Sequence, residues 1–547
     1  MINIVLLGFL ATFLYTPYGY LIQKGNNIRS FSLQLIFSLI ILSFFSLVLN
    51  FLTPLSKLVC SLFILVSLVL IVKFRHIFLT TKFLIFCFLS SIIIFLLIAS
   101  SNVYRPDAGL YHLPFINILN HEKIIFGLSN LHFRYGHISI IQYTSAIFNN
   151  IIFQDKGINF PAALIAVSVI LNFLSNLNIK LKNKQFDFHF FILFSLILFI
   201  FYKINRFSEY GNDAPTHLLM FLLISEIVKN FKISNSSKFS NLFLLSLFII
   251  MNKIILLFSI LFPLILFYNK KNKINILELK NIFIFIFVFF WFLKNILISG
   301  CILYPVKITC FNYFQWTDTK KTEEVSIENE AWAKGWPDYR KDDVKLTQKE
   351  YSKNFNWVST WGKNHFFKIL KIILPYILFL TIILFIVKSK TLKVPQEKYI
   401  KYLIYISVLG TIMWIYKVPV FRYGYSYLII LISLIFSYFA QSFKYKENSR
   451  SIFKASILLL ATIFILKNTN RIIFENKEYY GYPWPKIYSM DENNEPKMHN
   501  FSYIDGKKIY YTENDYCMYG LSPCGLSTSG IKHRKINGYS LIYKPLN

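Results

Sequence analysis

Long apolar runs without charge are the feature of this sequence that most restricts its fold. Residues 2–22, 30–51 and 424–441 contain no Asp, Glu, Lys or Arg, and each is close to the ~20 residues that cross a ~30 Å hydrocarbon core. A soluble domain in which 55% of the residues are hydrophobic could not cover its surface with polar groups. The runs therefore predict an all-α polytopic membrane protein and exclude a soluble enzyme, a fibrous protein and a disordered chain.

The distribution of Lys and Arg predicts which loops face the cytoplasm. The formal net charge is +31 over 547 residues, but the basic residues form short clusters between apolar runs instead of one basic face. We therefore predict no nucleic-acid partner. Because short basic loops stay on the cytoplasmic side, we assign that side to the clusters at 24–29, 73–82, 180–184, 229–238, 270–273, 388–393 and 444–450. The other loops are then outward, as in a bacterial inner membrane.

The apolar pattern predicts about fourteen transmembrane spans. They lie at 2–22, 30–51, 55–73, 82–99, 158–178, 187–203, 214–230, 240–252, 254–269, 280–300, 366–388, 399–419, 424–441 and 452–467. The short pair 240–252 and 254–269 fits either one kinked span or a hairpin. Alternation of the loop charges requires that residues 138–155 do not cross the membrane, so we predict an amphipathic helix in the outer interface there.

The span positions divide the chain into six parts. These are an N-terminal four-span segment (1–99), an outward loop with an interfacial helix (100–157), central spans (158–300), a second outward loop (301–365), C-terminal spans (366–467) and an outward soluble tail (468–547). The tail is polar and rich in Tyr and turn residues, and it predicts a small β-containing domain or cap. Cys517 and Cys524 enclose a short loop there and are candidates for a disulfide in an oxidising compartment.

The first outward loop carries an unusual density of ionisable groups. Asp107 follows the fourth span by fewer than ten residues, and His112 comes one helical turn later. Asp107 is a candidate general base or metal ligand, with His112 as a second catalytic candidate. The alternative is structural: Asp107 pairs with Arg105 or caps a helix near Gly109. Several His residues near one carboxylate also permit a divalent cation, although no spacing is diagnostic. The sequence indicates no other cofactor.

Four further charged residues are candidates for binding a substrate or a lipid phosphate. Asp213 precedes a predicted span and is either functional or an N-cap. Lys253 lies between two short apolar runs and either faces a cleft or sits in a tight turn. Lys294 lies within a predicted span. Arg422 lies in a very short outward connection, where it either binds a phosphate in bidentate fashion or extends to lipid headgroups.

Several short motifs give the chain a resemblance to known proteins. DAGLYHLP (107–114), GLSNLHFRYGHISI (127–140), NDAP (212–215), LISGCILYP (297–305), PVFRYG (419–424) and CMYGLSPC (517–524) resemble an uncharacterised family of large bacterial membrane proteins. That family is similar in outline to the C-type glycosyltransferases, which use polyprenyl-phosphate-linked sugars. The resemblance implies that Asp107 acts as base, binds a metal or orients the acceptor, and that Arg422 faces the lipid phosphate.

The expected function is therefore transfer of a sugar from a polyprenyl-phosphate donor to a cell-envelope acceptor on the outer membrane face. The expected partners are the bilayer and the lipid-linked sugar; the oligomeric state is not indicated. Three alternatives remain: a surface-polysaccharide polymerase or ligase, a transporter or flippase of an anionic lipid-linked sugar, and a membrane component without catalysis.

Overall fold

Helices make up most of the chain. A computed structural model describes residues 1–101, 106–204, 207, 210–231, 236–268, 278–341, 346–391, 398–474, 482–485, 499–512, 516–526 and 528–545. The helices of the first half are α1 (Ile2–Gly19), α2 (Ile28–Leu52), α3 (Lys57–Lys73), α4 (Arg75–Phe78), α5 (Thr81–Ile98), α6 (Leu113–His121), α7 (Ile141–Phe148), α8 (Phe160–Lys182), α9 (Phe188–Lys203) and α10 (Asp213–Asn230).

The second half contains long apolar helices and a group of short helices between α13 and α18. The helices are α11 (Ser236–Asn252), α12 (Leu261–Tyr268), α13 (Leu279–Ser299), α14 (Thr319–Ala333), α15 (Trp336–Tyr339), α16 (Gln348–Ser352), α17 (Val358–Trp361), α18 (Phe367–Val387), α19 (Lys398–Lys417), α20 (Phe421–Ala440) and α21 (Ser449–Phe474). The short helices α14 to α17 occupy the predicted second outward loop.

Nine helices in the described ranges are long and apolar enough to cross a membrane. They are Ile2–Gly19, Ile28–Leu52, Thr81–Ile98, Gln154–Lys182, Leu279–Ser299, Val358–Val387, Lys398–Lys417, Phe421–Ala440 and Ser449–Phe474. Each of the fourteen predicted spans falls on helical chain, but α3, α9, α10 and the α11–α12 pair are too short or too polar to qualify. The mostly helical fold with several candidate membrane spans is therefore confirmed, and the count of fourteen spans is not.

Polar side chains at several helix starts explain where those helices begin. The side chains of Asn27, Ser56, Thr80 and Asp187 each accept a hydrogen bond from the backbone N–H three residues further on. Such caps satisfy backbone donors that have no partner inside the helix. They fix the first turns of α2, α3, α5 and α9.

The helix α7 is buried on every side. It therefore lacks the exposed face that the prediction of an interfacial helix over 138–155 requires. All eight of its residues are buried. The hydroxyl of Thr144 in this helix meets that of Ser43 in α2. Just beyond the helix end, Asn150 Nδ2 donates to the hydroxyl of Tyr15 in α1 at 3.0 Å. Satisfied hydrogen bonds allow such groups to be buried at little cost.

The α11–α12 pair forms a hairpin and not one kinked span. The chain leaves the helical conformation at Lys253 (φ −155°, ψ 99°) and continues through a 3-10 segment, Ile254–Ile260, into α12. The hydroxyl of Ser259 donates to the Ser246 carbonyl at 3.3 Å, which ties the two arms together. Lys253 is therefore at the tip of the hairpin, as the tight-turn alternative requires.

Small sheets lie at two places. Strands β1 (Lys388–Thr391) and β2 (Phe443–Tyr445) pair antiparallel where two predicted cytoplasmic loops meet. In the tail, β3 (His499–Ile504), β4 (Lys507–Thr512) and β5 (Cys524–Gly525) form one sheet, and β6 (Lys532–Ile536) and β7 (Tyr539–Tyr543) form a hairpin. The prediction of β structure in the tail is confirmed, although α21 extends to Phe474, beyond the predicted start of the tail.

Two disulfides close short loops. One joins Cys517 to Cys524 in the tail, and the other joins Cys301 to Cys310 after α13. Cys60 and Cys87 are free thiols buried among apolar helices.

Candidate functional site

The carboxylate of Asp107 lies between two guanidinium groups. Asp107 belongs to a helical turn that begins at Pro106 and passes through a π-helical turn, Ala108–His112, into α6. Its Oδ1 accepts from Arg134 Nη1 at 2.8 Å, and its Oδ2 accepts from Arg422 Nη2 at 2.9 Å. The side chain is 22% exposed, so solvent screens these ion pairs only in part. Single π turns inside helices are frequent at functional sites.

The capping alternative for Asp107 is wrong, because its side chain makes no capping hydrogen bond to the helix that follows. The other structural alternative was a pair with Arg105, which lies outside the described residues. The carboxylate instead joins two distant parts of the chain, the 133–137 turn and the start of α20.

Asp213 is the second carboxylate at this site, and it pairs with Lys253 and Arg422. It is the first residue of α10, whose N-cap is Asn212, and no side chain caps this helix. The N-cap interpretation of Asp213 is therefore wrong. Its Oδ1 accepts from the ammonium of Lys253 at the tip of the α11–α12 hairpin, and its Oδ2 lies 3.8 Å from Arg422 Nε. Arg422 is thus shared by both carboxylates.

The backbone carbonyl of Arg422 is also held by two side chains. Lys253 Nζ donates to it at 2.9 Å, and His217 Nε2 donates to it at 2.9 Å. The other imidazole nitrogen of His217 pairs with the Ser426 hydroxyl at 2.8 Å. The first turn of α20 is therefore fixed to α10 and to the hairpin, which limits where the Arg422 side chain can reach.

Aromatic rings cover the cationic groups of this cluster. The Arg134 guanidinium lies 5.2 Å from the ring centre of Tyr111, and the Lys253 ammonium lies 4.9 Å from that of Tyr423. The Tyr423 hydroxyl also accepts from Arg422 Nη2 at 3.2 Å. Ring faces attract cations at such distances, so the rings hold the basic side chains in place.

These side chains surround a small charged cleft. Its volume is about 30 Å³, which is room for about one water molecule. The residues that line it are Asp107, Tyr111, His112, Gly211, Asn212, Asp213, Arg422 and Tyr423. Among the described residues, three cations (Arg134, Arg422 and Lys253) face two carboxylates, so these five side chains carry one net positive charge while the histidines beside them are neutral.

His112 lies in the wall of the cleft and is almost fully buried. Its Nδ1 is 2.7 Å from the side-chain amide nitrogen of Gln142 in α7. Burial lowers the pKa of His112 to about 4 against the opposing effect of Asp107 and Asp213. The imidazole is therefore neutral at physiological pH.

A second, mostly apolar cavity of about 40 Å³ adjoins the charged cleft at Gly211 and Asp213. Its walls come from α7, the start of α8, the start of α10 and the chain just before α10. The remaining lining residues are Ile141, Ser145, Ile158, Asn159, Ala162, Phe207, Tyr210, Ala214 and Pro215. A polar cleft therefore passes directly into an apolar one across the first residue of α10.

The tail packs against the segment that carries Asp107. Met518 N–H donates to the Gly109 carbonyl at 2.9 Å, and a Cβ at Gly109 would overlap the Met518 sulfur. The Tyr135 hydroxyl donates to the Cys524 carbonyl at 2.8 Å. The loop closed by the Cys517–Cys524 disulfide therefore rests on the π-helical turn, so the tail is joined to the 100–157 segment and is not a separate body.

Five of the six predicted charged or catalytic candidates lie together in this cluster: Asp107, His112, Asp213, Lys253 and Arg422. Lys294 is apart from the cleft lining. It is 1% exposed and donates to the Ile138 carbonyl at 3.3 Å, so in this structure it supports the turn that follows Arg134.

The sequence interpretation did not select Arg134, His217, Tyr423 or Gln142. Two of them stand beside chosen residues or motifs: Arg134 belongs to the polar loop of Asp107, and Tyr423 follows Arg422. His217 lies one turn after Asp213 on α10 and shares its helix face. Gln142 had no signal beyond being polar within an apolar stretch.

The donor set does not fit a divalent cation. Each oxygen of Asp107 accepts from a guanidinium, and each oxygen of Asp213 faces a basic side chain. Among the described residues, no group of three His, Cys, Asp or Glu side chains is close enough to hold a metal ion. A cation bound here would have to displace three positive side chains, so no step is assigned to a metal.

The fold and the site define a polytopic α-helical membrane protein with a paired-charge cleft beside an apolar cavity. Residues 1–429 match the family model described as a domain of unknown function, DUF8201, and the chain belongs to that family. The matched part contains every residue that lines the charged cleft, while the tail lies beyond it. Comparisons with curated proteins and with solved structures give no match.

Proposed function

We propose that this protein transfers a sugar from a polyprenyl-phosphate donor to an acceptor hydroxyl on the outer face of a bacterial inner membrane. The observation that carries the proposal is the position of the Asp107 carboxylate between Arg134 and Arg422. A carboxylate held between two phosphate-binding side chains puts a base and a leaving-group site within one cleft.

The basic side chains suit the phosphate of the donor. Arg presents planar, paired donors that match phosphate oxygens, and Lys253 supplies a third positive charge from the hairpin tip. In the structure the carboxylates occupy these donors. Because the cleft has room for only about one water molecule, a phosphate enters only when the carboxylates move away from the guanidinium groups. The phosphate then takes over contacts of Arg134 and Arg422 and releases Asp107 from at least one of its ion pairs.

The released Asp107 then acts as the general base. Its carboxylate removes the proton of the acceptor hydroxyl, whose oxygen forms a bond to the anomeric carbon of the sugar. The bond between that carbon and the phosphate oxygen breaks, and its electron pair leaves with the phosphate. The lipid phosphate gains one negative charge, which Arg422, Arg134 and Lys253 stabilise.

The apolar cavity favours a donor that has a lipid part. It meets the charged cleft at Asp213, so one ligand can place its anionic group among the basic side chains and its first apolar carbons between α7, α8 and α10. A substrate without a lipid part leaves this cavity unused.

Transfer can be tested with the protein in lipid nanodiscs, a polyprenyl-phosphate-linked radiolabelled sugar and a cell-envelope fraction as acceptor. We expect release of polyprenyl phosphate by the wild type and a loss of about 10²–10⁴-fold in Asp107→Asn. The matched control is Asp338→Asn, which removes an exposed carboxylate paired with Lys341 outside the cleft.

Equal release by the wild type, Asp107→Asn and a protein-free nanodisc rejects the transferase. Movement of intact donor between leaflets, without cleavage, identifies a flippase instead. Both Asp variants must elute as monodisperse protein for the comparison to count.

A further inference from the structure

The contacts of the Gln142 side-chain amide determine which way the amide points. The amide orientation in turn determines which ring nitrogen of His112 carries the proton. Its Nε2 lies 3.2 Å from the Tyr210 carbonyl oxygen, which can only accept. The same Nε2 lies 2.7 Å from His112 Nδ1. Rotating the amide by 180° would set its oxygen against the carbonyl oxygen, so the nitrogen must face both partners.

The amide nitrogen has two protons and donates to both. His112 Nδ1 therefore accepts, and in a neutral imidazole the proton then sits on Nε2. Within the described residues Nε2 has no hydrogen-bond partner, and the ring forms part of the cleft wall. The N–H of Nε2 is thus available to a ligand in the cleft.

We infer that Gln142 is a positioning residue that holds His112 as a neutral hydrogen-bond donor toward an oxygen of the bound ligand. The inference rests on the proposed function for the identity of that oxygen, which belongs to the donor phosphate or to the acceptor. The base of the cleft is then a carboxylate and not His112, because His112 offers no free lone pair there.

The surroundings of His112 favour this neutral form. Asp107 and Asp213 attract a second proton, whereas Arg422 and Arg134 oppose it, and burial opposes it most strongly. The nearby His137 imidazole is a further titratable neighbour. A neutral imidazole can polarise an oxygen without giving up its proton, a use known from other enzymes.

The inference can be tested by ¹⁵N magnetic resonance of histidine-labelled protein in nanodiscs. The His112 signals are identified as those that disappear in His112→Gln. They should remain in His189→Gln, a control variant that removes a different buried imidazole, which is hydrogen-bonded to the Ser225 hydroxyl. We expect the neutral tautomer with the proton on Nε2, unchanged from pH 8 to pH 5. A proton on Nδ1, or a charged ring at pH 6, overturns the inference.

Gln142→Glu provides the second arm. A carboxylate in place of the amide accepts from Nδ1–H, so His112 should become charged near neutral pH in that variant. If the variant folds and His112 keeps the wild-type tautomer, Gln142 is not the positioning residue. The wild-type spectrum decides the tautomer even if the variant does not fold.

The donor role is read from transfer activity. Gln places an N–H close to the position of the imidazole Nε2, so His112→Gln should lose less than about 10-fold, and His112→Leu about 10²-fold or more. Equal losses overturn the donor role. The spectra do not depend on turnover, so a protein without transferase activity but with the expected tautomer contradicts the proposed function and leaves the positioning by Gln142 intact.

Discussion

The Asp107 carboxylate and the Arg422 guanidinium meet at 2.9 Å although 315 positions separate them in the chain. One comes from the loop between α5 and α6 and the other from the first turn of α20. The contact brings together the two residues that the sequence marked as candidate base and candidate phosphate ligand. It also explains how an Arg is tolerated at the start of an apolar helix, since its charge is paired with carboxylates on two sides.

Arg422→Lys should lower transfer by on the order of 10²-fold, as for loss of one donor to a developing negative charge. A single ammonium cannot contact Asp107, Asp213 and the Tyr423 hydroxyl together as the guanidinium does. The measurement is the rate of polyprenyl-phosphate release by purified variants. An unchanged rate would mean that Arg422 serves only as an interfacial charge, because Lys replaces Arg well for that purpose.

Removing one member of the Asp213–Lys253 pair should destabilise the protein more than removing both. Asp213→Asn removes the ion pair between Asp213 and the Lys253 ammonium, and Lys253→Gln removes one of the cations that face Asp213. Breaking a buried pair costs up to about 3–5 kcal/mol, and replacing both members costs less. The melting temperatures of both single variants and of the double variant give the coupling. Additive losses would contradict a direct pair.

Gly109→Ala should loosen the tail from the site. The new Cβ would overlap the Met518 sulfur, so the flexible Met518 side chain has to move away from the turn and lose its packing there. Gly362→Ala is the matched control, since no atom lies within 4 Å of a Cβ built there. We expect faster proteolysis of the tail and a lower melting temperature in Gly109→Ala only. Identical behaviour of the two variants would show that the tail does not rest on this turn.

Thiol counting should show two free cysteines out of six. Alkylation of denatured, unreduced protein should modify Cys60 and Cys87, and alkylation after reduction should modify all six. Intact mass measures the number of added groups. Six groups before reduction would contradict both disulfides, and four would leave only one of them.

Acid should destabilise the protein through its buried histidines. Burial lowers the pKa of His112 to about 4 and that of His132 to about 3. Below pH 6.5 the unfolded chain binds protons at both positions while the folded protein does not, so stability falls as the pH decreases from 6.5 toward 4. Each group contributes up to ~1.4 kcal/mol per pH unit in that window. The melting temperature, measured from pH 8 to pH 4, should fall more steeply with decreasing pH below 6.5. This fall should be smaller in His112→Gln.

The sequence was sufficient for the helices because a membrane span is a local property. Hydropathy and length placed α1, α2 and α20 within a few residues of their observed ends. It was not sufficient to tell a crossing helix from a buried one. The helix α7 looked amphipathic because Gln142 and Thr144 interrupt an apolar stretch, but both side chains are buried with hydrogen-bond partners from other parts of the chain.

The sequence identified part of the candidate site because that part, too, depends on a local property. Charged residues beside apolar runs stand out in a sequence, which marked Asp107 and Arg422. Which of them meet depends on the packing of distant helices, and no local pattern encodes it. Lys294 illustrates the limit: its charge within a span looked functional, yet its ammonium donates to the Ile138 carbonyl away from the cleft.

The contact between the tail and the π-helical turn sets an order for making this protein. Residues 516–526 leave the ribosome long after the Asp107 segment, because a chain is synthesised from its N-terminus. The turn that carries Asp107 therefore lacks its covering loop until the last helix, α21, has been made and Cys517 has joined Cys524. A nascent chain halted before that point holds the Asp107 turn without the loop that covers it.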